Sequence, residues 1–270
     1  MKDFFYHFLS AIAALSAFAT LIGWITTFDS ALMMIAIVVV IIVISIGYAF
    51  YQTRPKKKIQ IEVHAALRLN IFEGDLFDQE GIIVIPVNEY FDTIVDDRII
   101  AHKTVHGYFI DSYYKNGRLQ ELDEKLELAL QGVQCIDKQQ RGLAKSKKYP
   151  LGTCAVFKEG KNDYVFWAFT HFDNNNHVYV TTEEIDSALG GLMRTLECVS
   201  NNRPVFMPLF GTGQSGVRKR AQQILSFIIS TIEFSYPLSI PAGLNIVIKD
   251  LSKLGVNLND LERMWKYYCK

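Results

Sequence analysis

The segment Arg203 to Gly216, RPVFMPLFGTGQSG, has the residue types of an anion cradle. Val205, Phe206, Met207 and Leu209 form an apolar run of strand length. The loop Phe210, Gly211, Thr212, Gly213, Gln214, Ser215 and Gly216 follows directly. Its glycines tolerate positive φ and let backbone N–H groups approach a phosphate closely. A helix expected from Val217 or Arg218 would turn its positive N-terminal end to the same place. An ordinary strand-to-helix loop is the alternative for this segment on its own. Two further loops, Gly74-Asp75-Leu76 and Asn88-Glu89-Tyr90, follow apolar runs, and Thr104-Val105-His106-Gly107 places a histidine before a glycine. Asp75 either caps a turn or offers an acceptor-only carboxylate to a ligand, and Asn88 is either a turn residue or a ligand contact. Thr170-His171-Phe172 either lines the same pocket or packs an aromatic, and Asp92, Asp96 and Asp97 either meet a cationic group or form a solvated helix start.

The elements that must hold these loops alternate along the chain. Leu67 to Phe72, Ile82 to Val87, Cys154 to Phe157, Tyr164 to Phe169, Val205 onward and Asn245 to Lys249 are expected strands. Helices are expected over 95–115, 119–131 (on its Leu122, Leu126, Leu130 spacing), 217–234 and 259–268, and from a Thr181 or Thr182 cap to about Val199 with Glu183 and Glu184 in the first turn. Strands separated by helices predict an α/β fold with a mixed, mostly parallel sheet covered on both faces. In such sheets ligands bind beyond the carboxyl ends of the strands, where these loops fall.

The first 53 residues are of another kind. No Asp, Glu, Lys or Arg occurs between Asp3 and Asp29, nor between Asp29 and Arg54. Each window exceeds the ~20 residues that a helix needs to cross a bilayer. Two transmembrane helices, about 4–27 and 30–51, are therefore expected, joined by a short turn into a hairpin. Ala17-Phe18-Ala19 resembles a signal-peptide cleavage site, but the apolar run continues past it through Leu21, Ile22, Trp24 and Ile25. Arg54, Lys56, Lys57 and Lys58 follow the second span, within a basic linker expected over 54–64. By the positive-inside rule they keep the N-terminus and everything after residue 54 in the cytoplasm, and they are suited to anionic headgroups. Ala13 with Ala17 and Ser45 with Ala49 sit four apart, a spacing that lets membrane helices approach. The four cysteines, Cys135, Cys154, Cys198 and Cys269, have neither zinc-ligand spacing nor a disulfide pattern. Zero formal net charge gives no support to a nucleic-acid partner.

From about Leu67 onward the motifs together resemble a macro domain, the ADP-ribose-binding module, taken as 65–270. NIFEGDLFD resembles the strand whose aspartate accepts from the adenine amino group, which would be Asp75 between Gly74 and Leu76. IIVIPVNEYFD resembles the strand whose asparagine, here Asn88, faces the distal ribose. YPLGTCAVF resembles the Pro-x-Gly-x-Ala entry at Pro150, Gly152 and Ala155, and PLFGTGQSG the diphosphate loop from Phe210 to Gly216. Where enzymatic members carry a second glycine-rich loop, this chain has only Thr104, Val105, His106 and Gly107. The resemblance therefore implies ligand binding at these residues, no catalytic residue, and neither cofactor nor metal; a hydrolase of ADP-ribosyl bonds or a passive receptor is the competing reading. With two membrane helices ahead of it, the whole chain resembles the membrane-macro effector of type II Thoeris anti-phage defence. That resemblance implies a homo-oligomer at the bacterial inner membrane. It also implies an ADP-ribose-derived messenger made by a TIR-domain protein, such as a histidine conjugate, and membrane disruption in abortive infection.

Overall fold

The computed structural model describes residues 2–23, 31–64, 67–138, 141–173, 177–213, 217, 219–235 and 239–268. They divide into two compact units, 1–56 and 57–270.

In the first unit α1 (Lys2–Gly23) and α2 (Ala31–Gln52) run antiparallel. The Phe4 ring meets Phe50 edge-on at 4.9 Å, and the His7 and Tyr48 rings lie 6.3 Å apart. Ser45 and Ala49 are the buried residues of α2, so this small pair sits against α1, whereas Ala13 and Ala17 of α1 are exposed and take no part in the contact. Large apolar side chains face outward all round, Leu32 at 79% and Val43 at 62% exposure among them. Both helices are long and apolar enough to cross a membrane, with mean hydropathy 1.7 and 2.9 over their best windows. The turn expected at Phe28-Asp29-Ser30 lies outside the described residues.

The second unit is a three-layer α/β/α domain. Its strands are β1 (Lys58–His64), β2 (Leu67–Glu73), β3 (Ile82–Asn88), β4 (Asp137–Lys138), β5 (Lys147–Lys148), β6 (Cys154–Glu159), β7 (Asn162–Phe172), β8 (Val178–Tyr179), β9 (Val205–Pro208) and β10 (Ile240–Ile248). Its helices are α3 (Val105–Tyr113), α4 (Leu119–Ala129), α5 (Thr182–Val199), α6 (Ala221–Ser235), α7 (Leu251–Leu254) and α8 (Leu258–Tyr268). The main sheet runs β1-β2-β10-β9-β3-β7-β6, with β8 paired to β7. The strands from β2 to β7 are mutually parallel, while β1, β6 and β8 pair antiparallel at the margins.

Side-chain alternation explains the two covered faces. Ile82 and Val84 on β3, with Val165 and Trp167 on β7, pack under α5, α6 and α8 through Leu189, Leu192, Ile228 and Leu261. Ile83 and Ile85, with Tyr164 and Phe166, pack under α3 and α4 through Phe109, Ile110, Leu122 and Leu126. Side-chain amides pin the register across the centre. Asn70 Nδ2 donates to Asn245 Oδ1 (3.0 Å), and Asn245 Nδ2 donates to the Val205 carbonyl (2.9 Å).

Two sequence expectations need correction. The linker expected over 54–64 ends at Lys57, because 58–64 form β1, whose Ile59 and Ile61 enter the core. Part of the basic cluster is folded into the domain: Lys57 Nζ pairs with Glu73 (2.7 Å), and Lys58 Nζ lies 5.8 Å from the centre of the Phe72 ring. The helix expected from Val95 begins only at Val105. Asp96 Oδ1 accepts from the N–H groups of Arg98 and Ile99, and Asp97 from that of His102, bonds that fold 95–103 into turns instead.

Of the two threonines that the sequence offered as cap, Thr181 is the one used, and it forms a complete capping box with Glu184. Further along α5, a Cβ at Gly191 would sit 2.5 Å from the Gly152 carbonyl oxygen and 2.8 Å from its Cα. Gly191→Ala is therefore expected to cost about 1–3 kcal/mol through overpacking. A chemical-denaturation midpoint that is lowered at unchanged slope would register this loss.

Candidate functional site

Parallel strands present their carboxyl ends on one edge, and there a cleft of about 480 Å³ opens. Its floor comes from Asn88 on β3, Thr170 on β7 and Pro208 after Met207 on β9. One wall is the glycine turn, Phe210 to Gly213; the facing wall is Ile99 to Ala101 with Lys103 to His106; Phe172 and Val178 close a third side.

Asn88 is nearly buried, and its Oδ1 accepts from the Tyr90 N–H (3.0 Å) and the Asp92 N–H (3.4 Å). That Asx-type turn commits the oxygen and leaves the Nδ2 end as donor to a ligand. Phe210 turns its ring into the core against Trp167 and Phe169, both 4.9 Å away, so the turn presents mainly backbone. Gly211 holds φ +80°, a conformation other residues adopt only under strain.

Opposite, Thr104 caps α3. Its Oγ1 accepts from the Gly107 N–H (2.9 Å) and donates to the Ala101 carbonyl (2.8 Å). The N–H groups of Val105 and His106, in the first turn, remain for a ligand. Gly107 serves by what it lacks, since a Cβ there would stand 2.3 Å from the Ala101 oxygen. His106 lies against the Phe166 ring at 5.2 Å, and its Nε2 is buried with no hydrogen-bond partner. Burial, reinforced by the Lys145 charge, pushes this imidazole down to about 3, so it is neutral at physiological pH. Among the described lining residues, the charged side chains are Lys103 and Lys253.

The structure thus brings together Asn88, Thr104, His106, Phe210, Gly211, Thr212 and Gly213. Gln214, Ser215 and Gly216 lie outside the described residues. Gly74, Asp75 and Leu76 do not line this cleft. Asp75 caps a short 3-10 turn: its Oδ1 accepts from the Phe77 N–H (3.0 Å), while its Oδ2 pairs with Lys249 Nζ (3.2 Å). These contacts, the Phe77 N–H foremost, hold the carboxyl below its usual range. Asp92 is no solvated group either, because it is fully buried against Arg141 (2.9 Å). The lining lysines had no signal in the sequence, since their place depends on how 95–103 and the turn after β10 fold.

The model of the family described as Thoeris protein ThsA, Macro domain, matches residues 69–249. The Thoeris protein ThsA of Bacillus amyloliquefaciens is 31% identical over 183 residues, covering 64% of this chain and 60% of that protein. The chain therefore spans less than two thirds of the length of this curated relative. Among solved structures, an Oceanobacillus iheyensis macrodomain mutant with ADPR matches at TM-score 0.52 and 16% identity, covering 77% of this chain and 99% of that one. A second mutant of it matches at TM-score 0.52 and 13% identity, covering 78% and 99%. At these identities the structural likeness speaks to the fold, and the family match carries the assignment: the chain belongs to the family of the Thoeris ThsA macro domain.

Proposed function

We propose that this chain is a membrane-anchored effector whose macro domain binds an ADP-ribose-derived messenger made by a TIR-domain protein. Binding drives oligomerisation and membrane disruption in anti-phage abortive infection. The observation that carries the reading is the cleft itself. A helix N-terminus, a glycine turn and two lysines line the same cleft, an arrangement suited to a diphosphate. The family assignment, the ADPR complex of a protein of like fold, and two apolar N-terminal helices support it further. The domain faces the cytoplasm of a bacterial cell with the hairpin in its inner membrane.

We propose binding without turnover. A neutral imidazole held near 3 is a weak general base, and the described lining residues include no carboxylate to replace it.

A ligand shifts assembly only through its preference for the assembled state. A 100-fold preference supplies roughly 2.7 kcal/mol per subunit, enough to switch a marginal oligomer when several subunits act together. Purified protein in dye-loaded liposomes should release dye when ADP-ribose or a conjugate of it is added. Measurable binding without leakage for any of them would sink the effector reading, and release of free ADP-ribose from a conjugate would replace it with a hydrolase.

A further inference from the structure

A second cluster of charged groups lies behind the cleft, outside its lining. Alternation along β7 turns His171 away from the lining residues Thr170 and Phe172. Its Nδ1 contacts the Oε2 of Glu89, and its Nε2 lies 3.0 Å from Glu184 Oε1. A neutral imidazole has one N–H and can donate to only one of these carboxylates; its other nitrogen would present a lone pair to an anion. Satisfying both contacts takes an imidazolium.

Both partners hold the third wall of the cleft. Glu89 is fully buried next to Asn88, and its Oε1 accepts from the Phe172 N–H (3.2 Å). Glu184 Oε2 accepts from the Thr181 N–H (2.9 Å) in the capping box, and Thr181 lies just beyond β8. β8 itself pairs with β7, Phe172 opposite Val178 and His171 opposite Tyr179.

We propose that His171 is a proton-operated latch, fixing the β7–β8 wall while it bridges Glu89 and Glu184, so that affinity for an ADP-ribose ligand depends on its protonation. The affinity clause rests on the function proposed above.

Other groups around the ring are consistent with this. Lys148 on β5 pairs with Glu89 at 3.1 Å, Tyr179 on β8 packs 5.3 Å from the imidazole, and Tyr90 lies next in sequence to Glu89. Asp173 and His177 pair with each other beyond the ring. The hydrogen bond to Glu89, then the charges of both carboxylates, raise the imidazole above its usual range. A raised value means that the latch is fully set below about pH 6.5, the ordinary imidazole value, and is lost as pH rises through the folded one. On losing its proton the ring keeps one N–H for buried Glu89, and its Nε2 lone pair then repels Glu184, which loosens the capping box and Val178.

The test uses the full chain in detergent with ADP-ribose as probe, a diphosphate diester that does not itself titrate in this range. Calorimetry at pH 6.5 and 9.0 should show about tenfold weaker binding at the higher pH, the equivalent of one pKa unit. His171→Gln should bind weakly at both and show no slope. Glu184→Gln keeps a residue suited to the capping box, should show the same flattening, and serves if His171→Gln fails to fold. A flat wild-type profile, or the wild-type slope in these variants, overturns the proposal. Hydrogen exchange of the 171–182 segment without ligand reads the latch independently. At pH 6.5 wild type should be better protected than His171→Gln, and at pH 9.0 the two should converge; equal protection at pH 6.5 also overturns it. If that exchange difference is present while ADP-ribose binds at neither pH, the latch stands and the ADP-ribose reading of the cleft fails.

Discussion

Gly213→Asp is expected to weaken binding of ADP-ribose by at least about 100-fold while leaving the fold intact. An ideal Cβ at Gly213 meets nothing within 4 Å, so the new side chain enters open space in the cleft without a clash. What it brings is a negative charge where a diphosphate should lie. Two like charges about 4 Å apart at an effective dielectric constant near 20 repel by roughly 4 kcal/mol, well over the ~2.7 kcal/mol of a 100-fold loss. Gly213→Asn has nearly the same shape without the charge and should lose far less, which separates electrostatics from bulk. Calorimetric titration of both variants, with melting temperatures within about 2 °C of wild type, checks the expectation. Tight binding by the Asp variant would remove the diphosphate from this wall. A variant that stayed toxic in cells without binding would break the link between ligand and effect.

Arg141→Ala should be among the most damaging changes to the domain, at about 3–5 kcal/mol. Arg141 Nη1 reaches Asp92 (2.9 Å) and the Lys145 carbonyl (3.2 Å), and its guanidinium lies 3.8 Å from the centre of the Tyr90 ring. Asp92 in turn accepts from the Lys145 N–H (2.8 Å), which ties 141–145 to the end of β3. Burial already raises the Asp92 carboxyl above its usual range despite the arginine. Without Arg141 that carboxylate is stranded, and a group with a raised folded value loses its contribution as pH climbs through it. The deficit against wild type should therefore shrink on acidification, as Asp92 takes up a proton. The double variant Asp92→Ala with Arg141→Ala should be the more stable of the two, because no buried charge is left unpaired. Urea denaturation at pH 5 and pH 8 measures each of these outcomes; a deficit for Arg141→Ala that did not change with pH would contradict them.

Local patterns made much of this architecture legible. The apolar runs of β2, β3, β7 and β9, the Thr181 cap and the outward-facing hairpin follow from side-chain period and from charge-free length, which depend little on tertiary context. The cleft was legible through Asn88, the Thr104 to Gly107 element and the glycine turn, because asparagine and glycine at strand ends have backbone uses the sequence displays. β1 was hidden by the basic cluster that runs into it, although Lys58-Ile59-Gln60-Ile61 alternates as a half-buried strand should. The late start of α3 was hidden because Asp96 and Asp97 suit a helix start as well as the turns they form. The ion pair of Asp75 was not legible, because nothing local said that Lys249, far along the chain, would come to lie beside it. The same holds for His171, whose partners lie on β3 and α5. Pairings across long sequence separations are set by topology, and a single sequence does not display them.

The position of β10 has a consequence for the order of assembly. It lies between β2 and β9, with Leu67 paired to Ile240 and Val205 paired to Leu244. The sheet thus cannot close from its N-terminal end: the β1–β2 hairpin and the β9-β3-β7-β6 block must wait as separate halves until residues 240–248 are available to join them. Closure across so long a loop is slow. During synthesis the exposed edges of β2 and β9 would then coexist with the apolar helices α1 and α2 already out of the ribosome. Stalled chains ending before Ile240 should accordingly be protease-sensitive throughout the sheet, and chains that include β10 should become resistant in one step.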